Sequence, residues 1–256
     1  MLRTATLLVF CLAASGFAQT PAVTVTSAAS NNPNLTAESL ATATGEGLAP
    51  RTDFATSLPW PTSLAGVTVD IMDSGSVLRS AGLLFVSHNQ VNFQIPPGTA
   101  LGNAGVFVHN GNTTFSTIVP IVPVALALFS LGSSGIAAAV AVRTTIPTNI
   151  QSVVPVFQCL DTPASCHLVP INVGVDSPVF VSFFGTGIRG RASLGNVVVK
   201  IGGVSAGAMY AGPQGQFPGL DQVNVQLPLA LHGAGMVDVT VTADGVTSNV
   251  VRIHVE

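Results

Sequence analysis

Apolar and polar residues alternate along many short stretches of the chain. In Val67–Ile71, two valines and an isoleucine alternate with Thr68 and Asp70. Successive side chains of a β-strand point to opposite faces of its sheet, so this stretch predicts a strand with one buried and one solvated face. The same alternation occurs at 197–201, 237–242 and 251–255. Beyond residue 18, no stretch free of glycine and proline is longer than Leu83–Ile95, which leaves little room for helices. The chain is therefore predicted to be all-β and to form antiparallel β-sandwiches.

The strand pattern is duplicated within the chain. Three segments recur in the same order: Ser39–Leu48 as Val179–Ile188, Gln90–Pro96 as Gln222–Pro228, and Asn110–Gly111 as Asp244–Gly245. This duplication predicts two tandem β-sandwiches, at 22–123 and 174–256. Residues 124–173 are predicted to form a short connecting β-meander that packs against one sandwich, because a sheet of that size has no core of its own.

The first 18 residues have the layout of a secretory signal peptide. Arg3 gives a positive start, Leu7–Leu12 an apolar middle, and Gly16–Ala18 a small-residue exit, so we expect cleavage before Gln19. The apolar middle is shorter than the roughly 20 residues that cross a membrane. Residues 118–142 are uncharged, but their prolines and glycines favour strands over a membrane helix. We therefore expect a mature chain with no membrane span, secreted to the periplasm or the extracellular space.

Two cysteines remain after removal of Cys11 with the signal peptide. Cys159 and Cys166 flank a predicted turn, and in an exported protein this spacing predicts a disulfide. The alternative is a zinc site that includes His167, but a structural zinc site takes four ligands and no other residue completes the set.

The composition excludes two classes of protein. Hydrophobic residues make up 48% of the chain and charged residues only 7%, which is the reverse of a disordered protein. Eight Lys and Arg against 11 Asp and Glu give a formal charge of −3. Since there is no basic stripe to neutralise phosphates, a nucleic-acid partner is not expected.

The second half resembles a known family. Phe180–Gly190 and Tyr210–Val225 are similar to an uncharacterised C-terminal domain family of secreted, acidobacterial-type proteins. Each half also resembles the IPT/TIG type of immunoglobulin-like fold, carried in the first half by Gly45–Gly47 and Gln90–Pro96. The resemblance implies export and tandem immunoglobulin-like sandwiches joined by the meander. It brings no catalytic residues, so the chain is not expected to be an enzyme.

Three motifs suggest chemistry, but each lacks the context that its chemistry requires. Gly185–Gly190 fits the dinucleotide fingerprint G-x-G-x-x-G, yet a predicted strand follows where a helix should begin. Gly203–Gly207 fits the nucleophile elbow G-x-S-x-G, which needs a strand-to-helix turn. The pairs of acids that could bind calcium, Asp70 with Asp73 and Asp238 with Asp244, belong to no recognisable calcium loop. No cofactor and no metal site is predicted.

A ladder of amides is the candidate ligand-contact feature. In Gln222–Gln226 the valines should point inward, so Gln222, Asn224 and Gln226 should share the outer face. Gln90, Asn92 and Gln94 repeat the pattern in the first half. Tyr210 and Phe217 precede the second ladder, and aromatic rings beside amides can contact sugars. The alternative is that these amides bond to neighbouring protein groups or face solvent.

The function predicted from these features is an exported, non-enzymatic binding or structural module that serves adhesion, envelope assembly or glycan contact. Its expected partner is a glycan or a cell-envelope protein. The alternative is a secreted enzyme, or an enzyme accessory, acting on polysaccharide. A glycosidase needs two carboxylates about 5 to 9.5 Å apart across a cleft, and no acid pair in the sequence indicates one.

Overall fold

The computed structural model describes residues 22–132, 134–160 and 165–256. The predicted signal peptide, residues 1–18, lies outside the described residues. Within them, the regular elements are strands and short 3₁₀ turns, which include Leu194–Asn196 and Leu229–Leu231. The all-β prediction is confirmed. The described part of the chain has no helix of the length and apolarity needed to span a membrane.

The N-terminal unit consists of two facing sheets. Its strands are β1 (Thr24–Ser27), β2 (Leu40–Thr44), β3 (Asp53–Phe54), β4 (Ser63–Leu64), β5 (Val67–Met72), β6 (Leu78–Ser80), β7 (Gly82–Ser87), β8 (Gln90–Gln94), β9 (Gly102–Asn110) and β10 (Thr113–Ile121). One sheet has the order β1-β2-β8-β7-β3, and the other has the order β10-β9-β5-β4 with β6 beside β5. Val67, Val69 and Ile71, which alternation placed on one face, are fully buried in the core between the sheets.

The C-terminal unit is also sandwich-like. Its strands are β11 (Ala127–Leu128), β12 (Ser130–Leu131), β13 (Ile136–Ala137), β14 (Ala139–Thr145), β15 (Ile150–Val154), β16 (Phe157–Cys159), β17 (Cys166–Leu168), β18 (Pro170–Ile171), β19 (Val179–Thr186), β20 (Val197–Ile201), β21 (Val204–Gly207), β22 (Tyr210–Pro213), β23 (Asp221–Gln226), β24 (Gly235–Ala243), β25 (Val246–Thr247) and β26 (Val251–Val255). One sheet has the order β15-β14-β19-β23-β22 with β11 beside β19, and the other has the order β12-β13-β26-β24-β20-β21 with β18 and β25 at its sides. Pairing is antiparallel, except that β13 and β18 run parallel to β26.

Residues 124–173 differ from the connecting meander that the sequence led us to expect. Their strands β11, β14 and β15 extend the sheet of β19, while β12, β13 and β18 join the sheet of β26. The reason is apolar burial, because Ala139, Ala141 and Ile171 on these strands complete the C-terminal core. Among the described strands of the C-terminal unit, only β16 and β17 lie outside its two large sheets. They form a separate hairpin, which the predicted disulfide Cys159–Cys166 closes.

The two units share an order of strand pairing. In the N-terminal unit β8 lies between β2 and β7, and in the C-terminal unit β23 lies between β19 and β22. The strands that carry the repeated amides, β8 and β23, therefore occupy matching positions inside their sheets.

Candidate binding surface

The amides of β23 lie on the outer face of their sheet. Val223 and Val225 are buried in the core, and the side chains of Gln222, Asn224 and Gln226 point the other way. This orientation follows from the two-residue period of the strand.

The neighbouring strands place a hydroxyl and an aromatic ring on either side of Asn224. Ser182 of β19 is its partner on one side, and Tyr210 of β22 is its partner on the other. We call Ser182, Asn224 and Tyr210 the C-terminal row. The rest of the face adds half-buried aromatic surface, because Phe184 lies opposite Gln222 and Phe180 lies opposite Gln226.

The amides are partly bonded to one another. Gln222 Nε2 donates to Asn224 Oδ1 at 2.6 Å and lies 3.3 Å from Ser182 Oγ. The side-chain oxygen of Asn224 is therefore already bonded within the protein. Within residues 22–132, 134–160 and 165–256, no acceptor is bonded to Asn224 Nδ2, and the exposed side chain of Gln226 makes no hydrogen bond. The Asn224 amide is thus held in one orientation by its oxygen, while its Nδ2 donor remains available to a ligand.

The ring of Tyr210 lies along its own strand instead of projecting from it. Its hydroxyl donates to the carbonyl oxygen of Pro213 at 2.5 Å. A Cβ added to Gly212 would lie 3.2 Å from that hydroxyl and 3.4 Å from Cζ, so the ring crosses over the glycine. Because 39% of Tyr210 remains exposed, this posture presents aromatic surface beside Asn224.

One cation lies next to the ring. Nη1 of Arg191 is 3.8 Å from the Cβ position of Gly212, and its Nε is buried without a hydrogen-bond acceptor in the described part of the chain. The nearby carboxylate of Asp244 is held by the Ala192 N–H and by Asn196. These hydrogen bonds, helped by the charge of Arg191, lower the pKa of Asp244. Arg191 therefore adds a guanidinium to the edge of the C-terminal row.

Phe217 lies farther from the row than its place in the sequence suggested. It belongs to the turn beyond the last β22–β23 pair, Pro213 with Asp221, and is 53% exposed. The Gln214 side chain accepts hydrogen bonds from the backbone of Gln216 and Phe217 and so shapes this turn. The turn places Phe217 at the hairpin end and not beside Asn224.

The repeated amides of the N-terminal unit form a similar cluster. Gln90 Nε2 donates to Asn92 Oδ1 at 2.8 Å, and Thr42 Oγ1 donates to the same oxygen at 3.0 Å. Gln94 donates to the carbonyl oxygen of Glu38. Sequence reasoning named the amides but missed Thr42 and Ser182. The repeat alignment already pairs these two hydroxyl residues, and that signal could have found them.

The glycines of the G-x-G-x-x-G segment pack against the chain that links the two units. A Cβ at Gly185, Gly187 or Gly190 would overlap the carbonyl oxygens of Ala127, Ala125 or Pro123, respectively. The segment leads through Leu194–Asn196 into β20, as the strand prediction required. These glycines therefore allow two backbones to approach closely.

The G-x-S-x-G segment lies in an antiparallel hairpin. Ser205 is exposed on β21 and pairs with Lys200 of β20. A nucleophile elbow needs a strained turn from strand to helix, so this local geometry does not supply one.

The acids considered for calcium are bonded within the protein. Asp70 accepts from Ser80, Asp238 pairs with Arg252, and Asp244 caps the loop at Ala192. Asp73 accepts from three backbone N–H groups and from Arg79. No cluster of three or more His, Cys, Asp or Glu suited to a metal occurs in the described ranges.

A buried ion pair joins the C-terminal loops to the N-terminal unit. Arg189 Nε donates to Asp221 Oδ1 at 2.6 Å, and its Nη1 donates to Glu38 Oε1 at 3.1 Å. Burial raises the pKa of Asp221, opposed by Arg189 and by the N–H of Ile188. Asp221 begins the amide strand, but its carboxylate faces this junction instead of the outer face.

Comparison of the chain with models of known protein families and with curated protein sequences finds no match.

Proposed function

We propose that the protein is an exported, non-enzymatic binding module and that the C-terminal row contacts a glycan. In this proposal the two units are tandem immunoglobulin-like sandwiches of the IPT/TIG type, and cleavage before Gln19 releases the mature chain. The observation that carries the proposal is the Tyr210 ring, laid over Gly212 beside the solvent-directed amide of Asn224.

The chemistry of the row suits a sugar. The C–H bonds of a pyranose carry slight positive charge and pack on the negative face of an aromatic ring. Sugar hydroxyls both donate and accept, so they can use the Nδ2 of Asn224 and both ends of the Gln226 amide. A ring already held by its own hydrogen bond loses little conformational freedom on binding.

Two features support export. The Cys159–Cys166 disulfide suits an oxidising compartment, where such bonds persist. The signal layout of residues 1–18 points the same way. The proposed partner outside the cytosol is a polysaccharide or another component of the cell envelope.

The enzyme alternative receives less support from the surface. A carbohydrate hydrolase would need a pair of carboxylates facing the bound sugar. Asp221 is the acid on the amide strand, and its two oxygens are engaged by Arg189 and the N–H of Ile188. The proposal therefore assigns binding, and not hydrolysis, to this face.

The test is binding of the mature protein to a panel of insoluble cell-wall polysaccharides and to a glycan array. Tyr210→Ala and Asn224→Ala should each weaken the strongest interaction by about tenfold, because each removes one ring contact or one hydrogen-bonding amide. Matched controls are Met236→Ala, an exposed apolar residue of the opposite sheet, and Gln158→Ala, an exposed amide on the disulfide hairpin.

Thermal unfolding measured by circular dichroism separates binding from folding. We expect both site variants to melt within a few degrees of the wild type. Equal binding by site and control variants would contradict the proposal. Unfolding of Asn224→Ala would show that the amide ladder is structural, which leaves Tyr210→Ala to decide the ring contact.

A further inference from the structure

The N-terminal unit contains a second copy of the row. Asn92 lies between Thr42 of β2 and Phe85 of β7, as Asn224 lies between Ser182 and Tyr210. We call Thr42, Asn92 and Phe85 the N-terminal row. Each row therefore has a hydroxyl, an asparagine and an aromatic ring on three adjacent strands.

The aromatic end of the N-terminal row is larger than that of its counterpart. Phe54 of β3 packs on Phe85 with ring centroids 4.8 Å apart and planes tilted by 48°. Phe54 is 60% exposed, which is unusual for a phenylalanine in a folded protein. The pair leaves aromatic surface open to solvent at one side of Asn92.

The other side of the row opens into a cleft between the two units. The cleft has a volume of about 660 Å³. Thr42, Thr44 and Gln90 line it from the N-terminal sheet, and Ser130 and Gly132 line it from the C-terminal unit. The threonines are paired across β1 and β2, Thr24 with Thr44 and Thr26 with Thr42, so their hydroxyls form a regular array. No charged residue lines this cleft within the described part of the chain.

We infer that the N-terminal row and its cleft form a second glycan site and that the chain binds one polysaccharide at two points. The inference rests on the proposed function of the C-terminal row. The uncharged hydroxyl and amide lining selects a neutral sugar, because a charged group would be desolvated there without a partner. The cleft lies at a unit boundary, which is a common location of a ligand site, and the aromatic pair lies at the opposite end of the row.

The junction favours simultaneous use of both sites. Leu40 N donates to Thr186 Oγ1 at 2.8 Å, and Arg189 bonds Glu38, so the two units are held against each other. Two sites on a fixed frame turn the second binding event into an intramolecular one. Linked sites of this kind raise the apparent affinity for a polymer by about 10² to 10⁴ over a single site.

The experiment compares a soluble neutral polysaccharide that the mature protein binds with a short oligosaccharide of the same sugar. Isothermal titration with the oligosaccharide should give two sites of comparable affinity per chain for the wild type, and Phe54→Ala, Asn92→Ala and Tyr210→Ala should each weaken one of the two sites by about tenfold. Each variant should also lose about tenfold in affinity for the polymer, because the polymer uses both sites together, while its other site keeps its oligosaccharide affinity. Met236→Ala is the control and should match the wild type in both titrations.

The outcomes separate this inference from the proposed function. If Tyr210→Ala weakens binding while Phe54→Ala and Asn92→Ala change neither oligosaccharide nor polymer affinity, the second site does not exist and the proposed function stands. If the wild type binds no glycan, both are wrong. Phe54→Ala keeps the test decisive if Asn92→Ala unfolds, because Phe54 is mostly solvent-exposed.

Discussion

The few charged side chains of this protein are used to fix its loops. Of the six arginines within residues 22–132, 134–160 and 165–256, five donate to a carboxylate or a carbonyl oxygen of the protein, and Arg191 alone does not. The acids behave similarly, since Asp73, Asp221 and Asp244 each accept backbone N–H groups. Only 7% of the residues are charged, and these three acids hold backbone segments of loops and turns in place.

The turn that Asp73 holds is expected to lose stability in acid. Hydrogen bonds from the N–H groups of Ala100 and Val77, followed by Arg79 and the N–H of Gly75, lower the pKa of Asp73 from 3.8 to about 2. The folded state therefore holds this proton less tightly than the unfolded state. The resulting stabilisation is present above about pH 4 and is lost as the pH falls toward 2.

Urea unfolding between pH 2 and pH 5 tests this prediction. The free energy of unfolding of the wild type should fall with acidification, and that of Asp73→Asn should depend less on pH across this window while being lower at pH 7. Asp238→Asn, which removes an exposed carboxylate, is the matched control and should follow the wild type. A slope in Asp73→Asn equal to that of the wild type would refute the assignment.

At the scale of elements, the defining contact is between β19 and the segment that links the units. Ala127 and Leu128 of β11 pair with the end of β19, and the N–H of Ala125 donates to Gly187. Glycine is required there for space as well as for conformation, because Gly187 has a φ of +88° and a neighbouring carbonyl oxygen where a Cβ would lie. The linking chain thus becomes a strand of the C-terminal sheet.

Two glycine substitutions separate the effects of space and conformation. Gly203 has a φ of +84°, close to that of Gly187, but no atom lies within 4 Å of its Cβ position. Gly203→Ala should lower the free energy of unfolding by about 1 to 2 kcal/mol through backbone strain alone. Gly187→Ala should lower it by at least about 3 kcal/mol, because it adds a collision with backbone. Urea denaturation of both variants measures the difference, and equal losses would contradict the packing role.

The sequence predicts the strands better than it predicts their partners. Alternation identified β5, β20, β24 and β26, because burial on one face of a sheet is a local property of a strand. The assignment of residues 124–173 to the C-terminal sheets depends on contacts with β19 and β26, which lie far along the chain. Local pattern contains no information on such pairing, so a connecting meander was the simpler expectation.

The candidate surface could be predicted in part for the same reason. The outward amides follow from strand period, and their hydroxyl partners Thr42 and Ser182 follow from the repeat. The aromatic partners do not align so simply. Residues 88–89 join β7 to β8, whereas the longer segment 214–220 joins β22 to β23, so Phe85 lies 7 residues before Asn92 and Tyr210 lies 14 residues before Asn224. Only the pairing in three dimensions makes Phe85 and Tyr210 equivalent.

At the scale of the whole molecule, Thr186 connects the two units. Its hydroxyl accepts from the N–H of Leu40 in the N-terminal unit at 2.8 Å and donates to the carbonyl oxygen of Gly219 at 2.8 Å. Thr186 is fully buried, so the N–H of Leu40, the hydroxyl of Thr186 and the carbonyl oxygen of Gly219 satisfy their hydrogen bonds with one another and not with water. Gly219 is in contact with the Leu40 side chain, and a Cβ at this glycine would lie 2.7 Å from Leu40 Cγ.

Thr186→Val therefore should loosen the junction without altering either core. The valine keeps the shape of threonine but leaves the N–H of Leu40 and the carbonyl oxygen of Gly219 buried and unpaired, at a cost of about 1 to 3 kcal/mol. Because that cost is relieved when the units separate, the variant should expose the linking residues 122–126 and show faster proteolytic cleavage there.

Thr242→Val removes an exposed hydroxyl that bonds Thr247 and is the matched control. Linker cleavage of Thr186→Val at the rate of Thr242→Val would mean that the apolar contacts at Leu40 and Gly219 hold the units together without this hydroxyl. If cleavage is faster, the polymer affinity of a two-site chain should also fall, because a looser junction lowers the effective concentration of the second site.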